Sequence, residues 1–124
     1  MPRLKIAQTV VYPRLRLFSE ENFRGIRRTL RGNLGIVNLE RRYDDVESLS
    51  FFSTNANATL VLFTRPNFQG TFRVFRGNRR IADLDDIIGG NDPESLISSN
   101  RRLTLAEIRE IRRTRRLPAG FRRL

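Results

Sequence analysis

The 124 residues predict an all-β fold, a sandwich or a barrel, built from two copies of one unit, and two observations carry that reading. The first is an internal repeat. Phe18-Ser-Glu-Glu-Asn-Phe23-Arg-Gly25 recurs 45 positions later as Phe63-Thr-Arg-Pro-Asn-Phe68-Gln-Gly70. Asp44-Asp45-Val46-Glu47-Ser48-Leu49 recurs 47 positions later as Asn91-Asp92-Pro93-Glu94-Ser95-Leu96. Two signatures kept in order at nearly one period mark two structural repeats. The second observation is a set of short apolar-rich segments bounded by turn residues, the pattern of a sandwich or barrel.

Each element follows from its residues. Segments 10–18, 26–30, 49–53, 59–63 and 71–75 are apolar-rich or alternating and are predicted strands. In 59–63, Leu60 and Leu62 point to one face while Val61 and Phe63 point to the other. Asn33, Gly35, Asn55, Asn57, Gly77, Asn78 and Gly89-Gly90 supply the turns. Segment 79–88 is open to a short helical turn with Ile81, Leu84 and Ile88 on one side. Phe18 and Phe23 would cover the sheet while Gly25 lets the hairpin fold back on it, and Phe63, Phe68 and Gly70 would do the same in the second copy. Thr104-Leu105-Ala106-Glu107 is a capping box that opens an amphipathic helix of about 12 residues. Its stripe is Leu105, Ile108 and Ile111, and Pro118-Ala119-Gly120 ends it. Such a helix is marginal alone, so it needs its own sandwich or a neighbouring copy to pack on.

The aromatic-x4-aromatic-x-Gly element, followed by Asn/Asp-Asp-x-x-Ser, resembles the Greek-key motif of the βγ-crystallin family. The resemblance implies a sandwich of two four-stranded Greek keys over residues 1–103, the first motif at about 10–54 and the second at about 55–103. Residues 104–124 form a basic C-terminal tail outside it. The same resemblance implies calcium. By position it would be held by Asp44, Asp45 and Ser48 in the first motif and by Asn91, Asp92 and Ser95 in the second, with backbone carbonyls near Glu20 and Arg65. These are the hard oxygen donors that calcium takes, six to eight at a time. Leu49 and Leu96 stand where the family's motif ends in serine, and a register using Ser98-Ser99 is also open. In the competing reading, Asp44 and Asn91 bend turns while the serines satisfy buried backbone groups.

Composition narrows the chemistry. There is no cysteine and no histidine, and Lys5 is the single lysine, which removes thiolate and imidazole catalysis and the usual zinc ligands. The expectation is a protein that is not an enzyme. No apolar run has signal-peptide or membrane-span length, so the chain is expected to be made in the cytoplasm and to span no membrane. The net charge is +11. Residues 101–124 hold nine arginines against two glutamates, a net +7. Arg109, Arg112, Arg113, Arg115, Arg116, Arg122 and Arg123 are therefore candidates for clamping an acidic neighbour, a second copy or, without sequence preference, nucleic acid. The leading reading is a self-assembling structural protein, calcium-stabilised, with the coat or dormancy role that the resemblance implies. The alternative is a polyanion binder working through the tail.

Overall fold

The computed structural model describes residues 10–124; Lys5 lies outside them. The chain runs β1 (Arg14–Glu20), β2 (Arg24–Arg31), β3 (Leu34–Ile36), α1 (Leu39–Tyr43), β4 (Ser48–Phe52), β5 (Thr59–Arg65), β6 (Gln69–Arg76), β7 (Arg79–Ile81), β8 (Ser95–Ser99), α2 (Leu105–Thr114) and β9 (Arg122–Arg123). The strands make two sheets, ordered β2-β1-β4-β7 and β6-β5-β8-β3-β9. Each motif keeps three strands in one sheet and sends its third, β3 or β7, to the other. There β7 pairs with β4 and β3 with β8. This exchange locks the two motifs into one unit.

The registers reproduce the repeat. Arg14 faces Arg31 and Phe18 faces Ser48 in the first sheet; 45 to 47 positions later Thr59 faces Arg76 and Phe63 faces Ser95 in the second. Strand alternation sends Leu15, Leu17, Leu49 and Phe51 inward to meet Leu60, Leu62, Phe75 and Leu96, all buried. Val61 and Phe63 point the other way, as their alternation predicts, into a second cluster outside the sandwich.

Both hairpins fold back over their sheets. Asn22, Phe23 and Gly25 have φ of 59°, 60° and 82°, and Asn67, Phe68 and Gly70 have 60°, 60° and 82°. A Cβ on either glycine would collide with Ser19 Oγ or Thr64 Oγ1, so glycine is required on steric grounds as well. The ring centroids of Phe18 and Phe23 are 5.7 Å apart, and those of Phe63 and Phe68 5.8 Å.

Three expectations are corrected. Segment 79–81 is a strand, because it completes the partner motif's sheet, and Leu84 and Ile88 are buried in the turn after it. The first strand starts at Arg14 and not at 10. Residues 104–124 hold the expected helix. Thr104 and Glu107 cap α2 reciprocally, and Ile108 and Ile111 pack on Val61, Phe63, Phe68 and Ile97. Leu105, predicted in the stripe, is instead 47% exposed. Beyond α2 the chain returns as β9, parallel to β3, so the helix packs on its own sandwich and the tail adds a strand.

Candidate cation site

All eleven carboxylates of residues 1–100 lie in segments 20–21, 40–47 and 83–94, which the exchanged strands bring to one end of the sandwich. The two segments on either side are tied by paired backbone bonds: Leu84 N–H donates to the Glu47 carbonyl, and Leu39 N–H to the Glu94 carbonyl, both at 2.9 Å. Between them a groove of about 240 Å³ is lined by Glu40, Asp44, Asp45, Glu47, Asp85, Asp92 and Glu94. Among the described residues the only ion pairs are Arg101–Glu107 and Arg113–Glu110. None of the eleven has a guanidinium partner among the described residues.

The negative charge is concentrated on one side. Carboxylate oxygens of Glu21, Asp83 and Asp85 lie within 4.8 Å of one another. Burial, with the charges of Asp85, Asp45, Glu21 and Asp83, raises the Glu47 carboxyl above the ordinary carboxylate range. Partial desolvation, with Asp83, Asp92 and Asp86, raises Asp85, and a hydrogen bond with Glu47 opposes the rise. Packing like charges at this distance disfavours ionisation, and a cation among them would reverse that. The donor set is all hard oxygen, which fits calcium. At the pseudo-equivalent place in the other motif stand Pro66, Asn38, Glu40 and Glu94, with Arg65 in place of Glu20. That side is poorer in carboxylates, offering Glu40 and Glu94 against the charge of Arg65.

The predicted ligands divide. Asp45 lines the groove, beside Glu47. Asp44 also lines it, but ends α1 with φ 59° and gives its N–H to Glu40. Asn91 and Asp92 bend a turn: Asn91 N–H donates to the Ile88 carbonyl, and an Asp92 carboxylate oxygen accepts from Asp86 N–H at 2.8 Å. Ser48 and Ser95 are fully buried hairpin pins. Ser48 Oγ donates to the Glu20 carbonyl at 2.6 Å and accepts from Phe23 N–H at 3.0 Å. Ser95 Oγ does the same with the Arg65 carbonyl at 2.6 Å and Phe68 N–H at 3.1 Å. The Glu20 and Arg65 carbonyls are thus each engaged by a serine hydroxyl, and Arg65 also lines a shallow groove with Pro66, Asn67 and Gln69. Sequence reasoning did not group Glu21, Glu47, Asp83 and Asp85, because they come together only through strand exchange.

Four of the seven tail arginines are fastened to this chain. Arg112 donates to the Gly70 carbonyl at 3.3 Å and Arg123 to the Arg115 carbonyl at 2.8 Å, while Arg122 donates to the Arg31 carbonyl and Arg113 to Glu110. Arg109, Arg115 and Arg116 are exposed and make no side-chain hydrogen bond among the described residues.

No helix among the described residues is long and apolar enough to cross a membrane. No protein-family model matches the chain, and no curated protein matches it in sequence. Solved structures do. Spherulin 3a from Physarum polycephalum superposes over 81% of this chain and 95% of its own at 17% identity, with a TM-score of 0.56. A βγ-crystallin domain from Clostridium beijerinckii covers 70% of this chain and 98% of its own at 14% identity, TM-score 0.51. A βγ-crystallin from Ciona intestinalis covers 69% and 99% at 20% identity, TM-score 0.50. Two hairpins pinned by equivalent serines, two motifs joined by exchanged strands and these superpositions agree: the chain has the βγ-crystallin domain fold.

Proposed function

We propose that this is a non-enzymatic structural protein of βγ-crystallin type whose acidic end binds calcium. One observation carries the reading: Glu21, Glu47, Asp83 and Asp85 are brought together without a cationic partner in a protein of net charge +11. Arginine is abundant, and among the described residues none forms an ion pair with them. These four carboxylates would hold the ion, assisted by Asp45 at the groove's rim. The ion would supply charge neutralisation and a bridge between the two motifs, since Glu21 and Glu47 belong to one and Asp83 and Asp85 to the other. Exposed and built from carboxylates alone, the site suits the weak class of calcium sites, with a Kd of about 10⁻⁴ to 10⁻³ M. The tail arginines expected to clamp a neighbour are mostly bonded within this chain, so the reading rests on the cation, with any self-assembly or coat role following from it.

Calorimetric titration of metal-free protein with CaCl₂, paired with thermal melts, tests this. Binding with a rise in melting temperature at millimolar calcium, both abolished in Glu47→Gln/Asp85→Asn, is the expected result. Absence of heat and of any melting shift in the wild-type protein rejects it.

A further inference from the structure

The outer face of the first sheet carries a second feature, independent of the cation site. Strand alternation and register set three rows across it. Arg27, Phe18 and Ser48 form the row under the folded hairpin; Thr29, Arg16, Ser50 and Arg80 the middle row; Arg31, Arg14 and Phe52 the far row. Rows two residues apart along a strand are about 7 Å apart. Like charges directly opposite one another, such as Arg14 and Arg31, destabilise a strand pair, so the fold gains nothing from this arrangement. No carboxylate lies within ion-pair distance of any of them among the described residues.

Two of the guanidinium groups are short of acceptors, whereas Arg31 donates to the Val11 carbonyl at 3.3 Å. The Nε atoms of Arg14 and Arg16 are buried with no hydrogen-bond partner among the described residues. An unmet buried donor is unfavourable, more so when charged, and an anion on the outward guanidinium nitrogens of these two side chains would offset that charge. Burial together with Arg14, Arg27 and Arg31 pushes the Arg16 guanidinium below its ordinary value, in line with a crowded site lacking its counter-charge. Aromatic rings are interleaved. Arg14 sits 5.1 Å over the Phe52 ring and Arg80 4.3 Å over Phe23, which packs on Phe18.

We propose that this face binds single-stranded nucleic acid, with Arg14, Arg16, Arg27 and Arg31 holding successive phosphates and the guanidinium plane of Arg80, backed by Phe23, offering a stacking surface to bases. An open basic surface combined with aromatic and guanidinium planes is the general means of holding a strand without reading its sequence. The competing occupant is the acidic end of a second copy. Net charge decides against it: two copies would bring +11 to +11, whereas a polyphosphate strand neutralises the excess.

The test is fluorescence anisotropy with labelled oligo(dT) of about 20 nucleotides, and a duplex of equal length, at about 50 and 200 mM salt. Three to four phosphate contacts give a logarithmic salt slope of about −2 to −3, a loss of roughly 15- to 60-fold across that range. Arg14→Thr/Arg16→Thr should weaken single-strand binding about tenfold or more and make the slope shallower by about 1.4. Thr59 already occupies the place equivalent to Arg14 in the second sheet, so the variant should fold, and a thermal melt confirms it. Arg14→Lys/Arg16→Lys keeps the charge and should fall between the two. Arg109→Ala/Arg115→Ala/Arg116→Ala should stay within about threefold of wild type. Absence of wild-type binding at the lower salt, wild-type affinity in the threonine variant, or equal affinity for the duplex would each overturn the proposal. Oligomers that form without oligonucleotide and dissolve in the threonine variant would instead identify the second copy as occupant.

Discussion

The outer faces of the two sheets occupy equivalent positions and share almost no chemistry. Arg14, Arg16 and Phe18 of β1 correspond to Thr59, Val61 and Phe63 of β5; Arg27 and Thr29 of β2 correspond to Phe72 and Val74 of β6. Arg80 corresponds to Gly35, where a Cβ would strike both Phe68 and Leu117. The second face is apolar and roofed by α2, so Phe63 and Phe68 are fully buried. The first is cationic and open, and Phe18 and Phe23 stay half exposed. What the two halves share is the inner face, the serine pin and the folded hairpin. The fold demands those, and leaves the outer surface free to be covered or charged.

The largest effect should come from removing the roof. Deleting residues 104–124 uncovers Val61, Phe63, Phe68 and Ile97 and should produce an aggregating or non-cooperative protein. The milder Ile108→Ala should cost about 2–5 kcal/mol by denaturant unfolding. A truncated chain that stays monomeric and melts like the full one would show that the two faces differ less than their residues imply.

Next in size is the pair of serine pins. Ser95→Ala leaves the Phe68 N–H and the Arg65 carbonyl unmatched beside a fully buried ring, about 1–3 kcal/mol. Ser48→Ala frees groups in a half-exposed hairpin that water reaches, about 1 kcal/mol or less. Equal losses in parallel melts would mean that the roof does not set the stability of its hairpin.

The smallest effect is pH-dependent. Glu47 and Asp85 have raised values in the folded state, which therefore holds their protons more tightly than the unfolded chain. Stability from this source is present below the ordinary carboxylate range and is lost as pH rises through the raised values. Without calcium, the melting temperature should fall as pH rises above the ordinary carboxylate range, and Glu47→Gln should flatten that fall. Glu107 works in the opposite sense. Its hydrogen bond to Arg101 lowers it, so its contribution is present above the ordinary range and is lost on acidification. A wild-type profile that keeps rising above the ordinary carboxylate range without calcium would break the account of the acidic end.

Much of the fold was legible in the residues. The spacing of Phe18, Phe23 and Gly25 against Phe63, Phe68 and Gly70 identified equivalent hairpins, and Thr104 with Glu107 marked the start of α2. Period-two alternation tells which side chains share a face, but not which sheet a three-residue strand joins. For that reason β3 and β7 stayed hidden, and with them the meeting of Glu21 and Glu47 with Asp83 and Asp85. Ser48 and Ser95 stood out for the right reason, their repetition, yet a repeated serine serves a hairpin pin as well as a ligand. The address of α2 was open because an apolar stripe records a need for cover without naming the surface that gives it.

Confining every carboxylate of residues 1–100 to one end gives the molecule a permanent electric dipole. In the field of an approaching polyanion such a body turns before it touches, with its negative pole facing away. Its orientation on arrival is therefore selected during diffusion, and the acidic groove stays in solvent. A cation and a polyanion would then be carried together, each titrating without displacing the other.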